Sequence, residues 1–203
     1  YNEIFNAQTG IKLCAGGNFG VGQGNSFSGR IANSLAINVD DDPNDLELVC
    51  GYTVYKIEIK NLSGESGNLM IPNNIQINNT SIDGLTSFAD LNSDSVPEII
   101  ISSNASSSIS GLYIYSFING AYSLVSGPNK FFPNEVWNTG NPLITKFTNN
   151  TKIKFILSKD DKIIIIDLDN NGNLNLENIK PVNDGSGILG LTSFDLNGDG
   201  KNE

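Results

Sequence analysis

A repeated passage constrains this chain more than any other feature. Gly84-Leu85-Thr86-Ser87-Phe88 returns as Gly190-Leu191-Thr192-Ser193-Phe194, and each copy runs into an acidic loop. The first loop reads Asp90-Leu91-Asn92-Ser93-Asp94-Ser95-Val96-Pro97-Glu98, and the second reads Asp195-Leu196-Asn197-Gly198-Asp199-Gly200-Lys201-Asn202-Glu203. A five-residue identity followed by matched acid spacing marks a repeat. Self-similarity of this kind dictates a fold of stacked units, each too small to bury its own apolar face.

In the later copy, oxygen-bearing side chains stand at positions one, three, five and nine, with a glycine at six. Alternate residues of an extended turn point the same way, and Gly200 permits a sharp bend. The Lys201 carbonyl adds a further oxygen beside Asp195, Asn197, Asp199 and Glu203. Together these make the oxygen shell that a hard cation such as calcium takes. Asn/Asp turns between strands also form without any ligand, because the side chains hydrogen-bond to nearby backbone N–H groups. Both readings of the loops stay open.

The chain in order predicts strands and turns throughout. Tyr1 to Ala15 reads as two short strands, Glu3-Ile4-Phe5 and Ile11-Lys12-Leu13-Cys14, and Gly16 to Gly29 as a glycine-rich connector. No helical pattern follows those glycines, so they are not a dinucleotide fingerprint. A first unit has strands at 34–39, 46–50, 53–59 and near 74–78, with an acidic turn at Asp40-Asp41-Asp42-Pro43-Asn44-Asp45. A second has strands at 85–89, 99–101, 111–117 and 122–125, the last pair joined by Asn119-Gly120, a hairpin signal. A third has strands at 143–147, 153–157, 162–167 and 174–176. Its loop, Thr148-Asn149-Asn150-Thr151-Lys152, offers no carboxylate, so it is expected to hold no ion, with Lys152 and Lys154 supplying a charge instead. A fourth unit opens at Gly190.

Aligning Asp40, Asp90, Thr148 and Asp195 gives a period of about 50 residues with four strands in each, the arithmetic of a propeller blade. The expected fold is therefore all-β: a β-propeller of four-stranded antiparallel blades. Three full blades fall at 30–80, 81–140 and 141–183. Residues 1–29 supply the outer strands of a preceding blade and a connector, and residues 184–203 the start of the next. This division predicts a piece of a larger ring.

Composition narrows the partners. The formal net charge of −10 at pH 7 disfavours nucleic acid and anionic membranes and favours divalent cations. No apolar run is long enough for a membrane span. Cys14 and Cys50 are the two cysteines. They form either a disulfide, which would suit an oxidising compartment, or two independent buried thiols.

At its paired loops, with Phe-(Ala)-Asp-x-Asn-x-Asp and an apolar strand after the acid, the chain resembles the FG-GAP/VCBS repeat family. These β-propeller repeats also build the integrin α-subunit head. The resemblance covers roughly residues 30 to 203. It implies calcium in the loop between the first and second strands of some blades, in a secreted or cell-surface protein. The implied ligands are Asp195, Asn197, Asp199, the Lys201 carbonyl and Glu203. In the second unit they are Asp90, Asn92, Asp94, the Val96 carbonyl and Glu98, with Ser95 in the usual glycine's place. In the first unit, whose loop aligns one residue short, they are Asp40, Asp42, Asn44 and Glu47.

The function implied is a noncatalytic, calcium-stabilised propeller whose loops bind a protein or glycan ligand at the cell surface. Further blades or domains of the same chain are expected partners. The alternatives are part of a polysaccharide-active enzyme of the lyase type, or of a quinoprotein-like dehydrogenase, for which the Gln8-Thr9-Gly10 turn is a faint echo. The chain has no histidine, which removes the usual general base and the commonest metal ligand. Tyr113, Tyr115, Phe131, Phe132 and Trp137 read as core or inter-blade packing, against a sugar-binding platform. Asn61, Asn78, Asn79, Asn104 and Asn149 lie in Asn-x-Ser/Thr sequons, relevant only in a host that glycosylates them.

Overall fold

The computed structural model describes residues 3–5, 7–10, 12–15, 34–44, 46–50, 53–56, 73–74, 84–103, 110–132, 142–146, 152–182 and 191–198. The described residues contain strands and turns and no helix. The chain divides into two compact units, Tyr1–Ser81 and Ile82–Glu203.

In the first unit, β1 (Glu3–Phe5) and β2 (Lys12–Ala15) form an antiparallel pair. The strands β3 (Ser34–Ile37), β4 (Glu47–Cys50), β5 (Thr53–Lys56) and β6 (Asn73–Asn74) form a sheet in chain order. The expected extensions to residues 59 and 78, the connector at 16–29 and the side-chain pairing of Cys14 with Cys50 lie outside the described residues.

The second unit holds two four-stranded antiparallel meanders. One runs β7 (Gly84–Ala89), β8 (Glu98–Ser103), β9 (Gly111–Ile118) and β10 (Ala121–Asn129). The other runs β11 (Leu143–Lys146), β12 (Ile153–Lys159), β13 (Lys162–Leu168) and β14 (Leu174–Pro181). Isoleucine dominates β8 and β13, and β-branched side chains suit the pleated backbone. An antiparallel sheet with one wet face would alternate apolar and polar residues. Instead β8 is buried along its whole length, and β9 over its first six residues, the pattern of a strand covered on both faces.

The two sheets of this unit pack face to face. Ile100, Leu112 and Ile114 of one meet Phe155, Leu157, Ile164 and Ile166 of the other, and Ala89, Leu91, Phe131 and Phe132 close the edges of the layer. Each such side chain, once buried, contributes about 1.5–3 kcal/mol, so this layer is the main reason the two meanders stay together. Exposure rises from the second strand of each sheet to its last, and β14 is exposed over nearly its whole length. Asn119 and Gly120, both at positive φ (52° and 80°), make the two-residue turn that the Asn-Gly signal predicts.

Candidate metal loops

The second loop leaves β7 at Ala89 and enters β8 at Glu98, two residues that pair across the sheet. The Asp90 carboxylate gathers three backbone donors. Ser93 N–H (2.6 Å) and Asp94 N–H (3.2 Å) donate to its Oδ1, and Ser95 N–H (3.0 Å) donates to its Oδ2. Asn92 Oδ1 accepts from Asp94 N–H (2.9 Å), and Asp94 Oδ1 from Val96 N–H (2.8 Å). Each acidic or amide side chain thus takes the N–H two or more residues ahead, which is how Asx turns hold a loop without a ladder. To make this path Ser93 and Ser95 adopt φ of 67° and 74°, a region that costs a non-glycine residue about 1 kcal/mol or more.

Glu98 anchors the loop from within. Buried at the start of β8, its Oε2 accepts from Leu91 N–H (2.7 Å), and its Oε1 from Ser116 Oγ (3.0 Å) and Asn92 Nδ2 (3.0 Å). Burial raises its carboxyl above the usual range and the nearby Asp94 charge adds to this, while the bonds from Leu91 and Ser116 oppose it. The Asn92 amide nitrogen also donates to Asp94 Oδ2 at 2.8 Å. One carboxamide therefore bridges two carboxylates.

The first loop is built the same way, and its strand register corrects the alignment read from the acids. Ile37 pairs with Glu47 as Ala89 pairs with Glu98, and buried Glu47 accepts Val39 N–H at 3.0 Å as Glu98 accepts Leu91 N–H. Asn38 therefore stands where Asp90 does, Asp40 where Asn92 does, and Asp42 where Asp94 does. Nine residues separate Ile37 from Glu47 and eight separate Ala89 from Glu98, so the first loop is one residue longer, not shorter. The rungs run Asp40 N–H to Asn38 Oδ1 (3.1 Å), Asp42 N–H to Asp40 Oδ1 (2.8 Å) and Asn44 N–H to Asp42 Oδ1 (3.1 Å). Asn38 Nδ2 closes the turn on the Asp42 carbonyl at 3.0 Å. The run Asp40-Asp41-Asp42 hides Asn38 from a search for acids, and strand pairing is the signal that finds it.

The fourth loop begins as the second does. Gly198 N–H donates to Asp195 Oδ1 at 2.6 Å, matching Ser93 N–H on Asp90 at 2.6 Å. Gly198 has φ 76° against 67° for Ser93, and without a Cβ it takes that conformation at no steric cost. Asn197 lies within this turn, while Asp199, Lys201 and Glu203 lie outside the described residues. Residues 191–194 are not paired as a strand, although they repeat the β7 sequence. Phe194 and Leu196 are 53% and 67% exposed, whereas Leu91, the counterpart of Leu196, packs on the core. Ser193 Oγ lies 3.4 Å from Thr145 Oγ1 of β11.

In the third sheet Lys154 is buried near the start of β12. Its ammonium binds Asp167 of β13, and Glu177 Oε2 of β14 at 2.8 Å, with Lys152 3.8 Å from Asp167. The expected charge of Lys154 is thus spent across the sheet, on carboxylates 13 and 23 residues away. Residues 147–151 of that loop lie outside the described residues. Residue-type reading missed a further turn, Asp169-Asn170-Asn171-Gly172-Asn173, between β13 and β14. Asp169 Oδ1 accepts Asn171 N–H and Asn173 N–H, both at 2.8 Å, and Oδ2 accepts Asn173 Nδ2 at 3.1 Å. The bonds from Asn173, then those from Asn171 and Asn175, hold its carboxyl below the usual range.

The chemistry of the second loop's donors suits a hard cation, and the same oxygens also take the chain's own donors. Each carboxylate oxygen of Asp90, Asp94 and Glu98 already faces an N–H or O–H donor. Among the described residues no group of three or more His, Cys, Asp or Glu side chains converges to hold a metal. Tyr113 and Tyr115 are buried, and Phe131 and Phe132 pack at the core's edge, so these four present no flat sugar platform. Trp137 and the five sequon asparagines lie outside the described residues. No helix among the described residues is long and apolar enough to cross a membrane. No family model matches this chain, and neither the curated proteins nor the solved structures offer a match.

Proposed function

We propose that this chain is a noncatalytic β-propeller scaffold of a secreted or cell-surface protein, whose inter-strand loops bind a protein or glycan ligand. The supporting observation is recurrence. Four-stranded meanders follow one another along the chain, two of them stacked through a shared apolar layer. The Asp90 and Asp195 turns open with the same bond, and Glu47 and Glu98 hold their loops alike. Radially repeated sheets give a rigid body with short connecting loops on its rims, a platform suited to binding. The described loop carboxylates are bonded to backbone donors, which fixes turns and leaves no poised acid–base pair.

Calcium enters this reading at the fourth loop, where Asp195, Asn197, Asp199, the Lys201 carbonyl and Glu203 would supply hard oxygens and glycines stand at both bends. An ion there would stabilise the native state by mass action. Thermal melts of the protein in chelator and in calcium test it. Calcium is expected to raise Tm by several degrees in the wild type and to have no effect in Asp195→Asn/Asp199→Asn. A wild-type melt indifferent to calcium would remove the ion from the proposal. A scattering profile inconsistent with radially stacked sheets would remove the propeller.

A further inference from the structure

We infer that the second loop closes without a metal, the Asn92 carboxamide doing between Asp94 and Glu98 what the family resemblance assigns to calcium. Asp90, Asp94 and Glu98 fall within nine residues, and carboxylates in so short a stretch need positive partners. Here the chain supplies them itself. Five backbone N–H groups, from Leu91, Ser93, Asp94, Ser95 and Val96, point at the three carboxylates or at the Asn92 carbonyl oxygen. The hydroxyl of Ser116 and the amide of Asn92 complete the set.

The orientation of Asn92 is fixed from both ends. Its oxygen accepts Asp94 N–H at 2.9 Å, while its nitrogen lies 2.8 Å from Asp94 Oδ2 and 3.0 Å from Glu98 Oε1. Turning the amide over would set its NH2 against the Asp94 N–H and its oxygen against two carboxylate oxygens. A cation between Asp94 Oδ2 and Glu98 Oε1 would need that reversed amide. The second loop is a metal-independent turn, in contrast to the candidate calcium loop at Asp195. The inference rests on the loop reading above only in treating the two loops as repeats.

Amide hydrogen exchange at Leu91, Ser93, Asp94, Ser95 and Val96 tests it, measured in chelator and in calcium. The background is Asp195→Asn/Asp199→Asn, so that no effect of the fourth loop enters. The expected result is rates equal within about twofold in the two conditions, because the bonds that protect these amides are the chain's own. Asn92→Asp replaces the bridging donor by a fourth carboxylate. It is expected to exchange about tenfold faster in chelator and to recover in calcium, since the loop then needs a cation. Asp94→Asn is expected to loosen the loop equally with and without calcium. Faster exchange of the Asp90–Val96 amides on chelation, with Asn92 intact, overturns the inference whatever the two variants do. Failure of calcium at the fourth loop alone leaves it standing.

Discussion

The second and third sheets share one apolar layer and near-identical strand order, yet they place opposite charges at the buried start of their second strands. In one, Glu98 faces inward and accepts hydrogen bonds from the loop beside it. In the other, Lys154 faces inward, its side chain 4% exposed, and binds Asp167 and Glu177 across the sheet. The carboxylate stitches a loop to its own strand and to Ser116 of β9, whereas the ammonium stitches three strands together. A buried charge is costly unless matched, and each sheet has met that demand with whatever its neighbouring residues offer. Repeats can therefore keep their backbone while exchanging the polar device at one position.

The sharpest test of that contrast is Lys154→Met. It takes from Asp167 and Glu177 the ammonium they share, leaving Lys152 3.8 Å from Asp167, and is expected to cost about 1–3 kcal/mol, read as a lower midpoint in denaturant unfolding. Adding Asp167→Asn should recover part of the loss. If Lys154→Met alone costs under about 1 kcal/mol, the pair does not seat the third sheet as a buried pair would.

Glu98→Ala is the matching change in the second sheet. It strands the Leu91 N–H and the Ser116 hydroxyl, with an expected cost of about 1–3 kcal/mol and faster exchange confined to the loop. Faster exchange spread equally over β7 to β10 would mean that Glu98 supports the whole sheet, and the contrast would vanish.

The smallest effect belongs to Asp169, partly exposed at the β13–β14 turn. Its carboxyl is held below the usual range by its Asn173, Asn171 and Asn175 donors. A carboxyl lowered in the folded state adds stability that is fully present above its unfolded pKa and is lost as pH falls through the folded value. The melting difference between wild type and Asp169→Asn should therefore be present at neutral pH and vanish in acid. A difference that persists below the folded pKa would assign the effect to the amide's shape instead of the charge.

Much of this architecture can be read in the residues. Ile99-Ile100-Ile101 announces a strand buried on both faces and Ile163-Ile164-Ile165-Ile166 a strand with one face in the core, while Asn119-Gly120 announces the hairpin of β9 and β10. The Asp90 and Asp195 turns are legible because side-chain-to-backbone bonds of this kind span only a few residues. The first loop was harder. A run of three aspartates fits several alignments, and only the Ile37–Glu47 pairing identifies Asn38 as its opening residue. Residues 191–194 show what repetition alone cannot supply, since they repeat residues 85–88 of β7 and yet are not paired as a strand.

The sequence by itself determined the strands, the turns and the places where acids gather. Those depend on side-chain alternation, glycine and Asx chemistry over a few neighbouring residues. Only the tertiary structure decided which polar groups answer one another: Glu98 with Ser116, Lys154 with Asp167 and Glu177, the Asn92 amide with two carboxylates. These partners are chosen by strand register and by burial. A buried charge takes the nearest complementary group that the sheet brings within reach, and sheet pairing is a property of the folded chain as a whole.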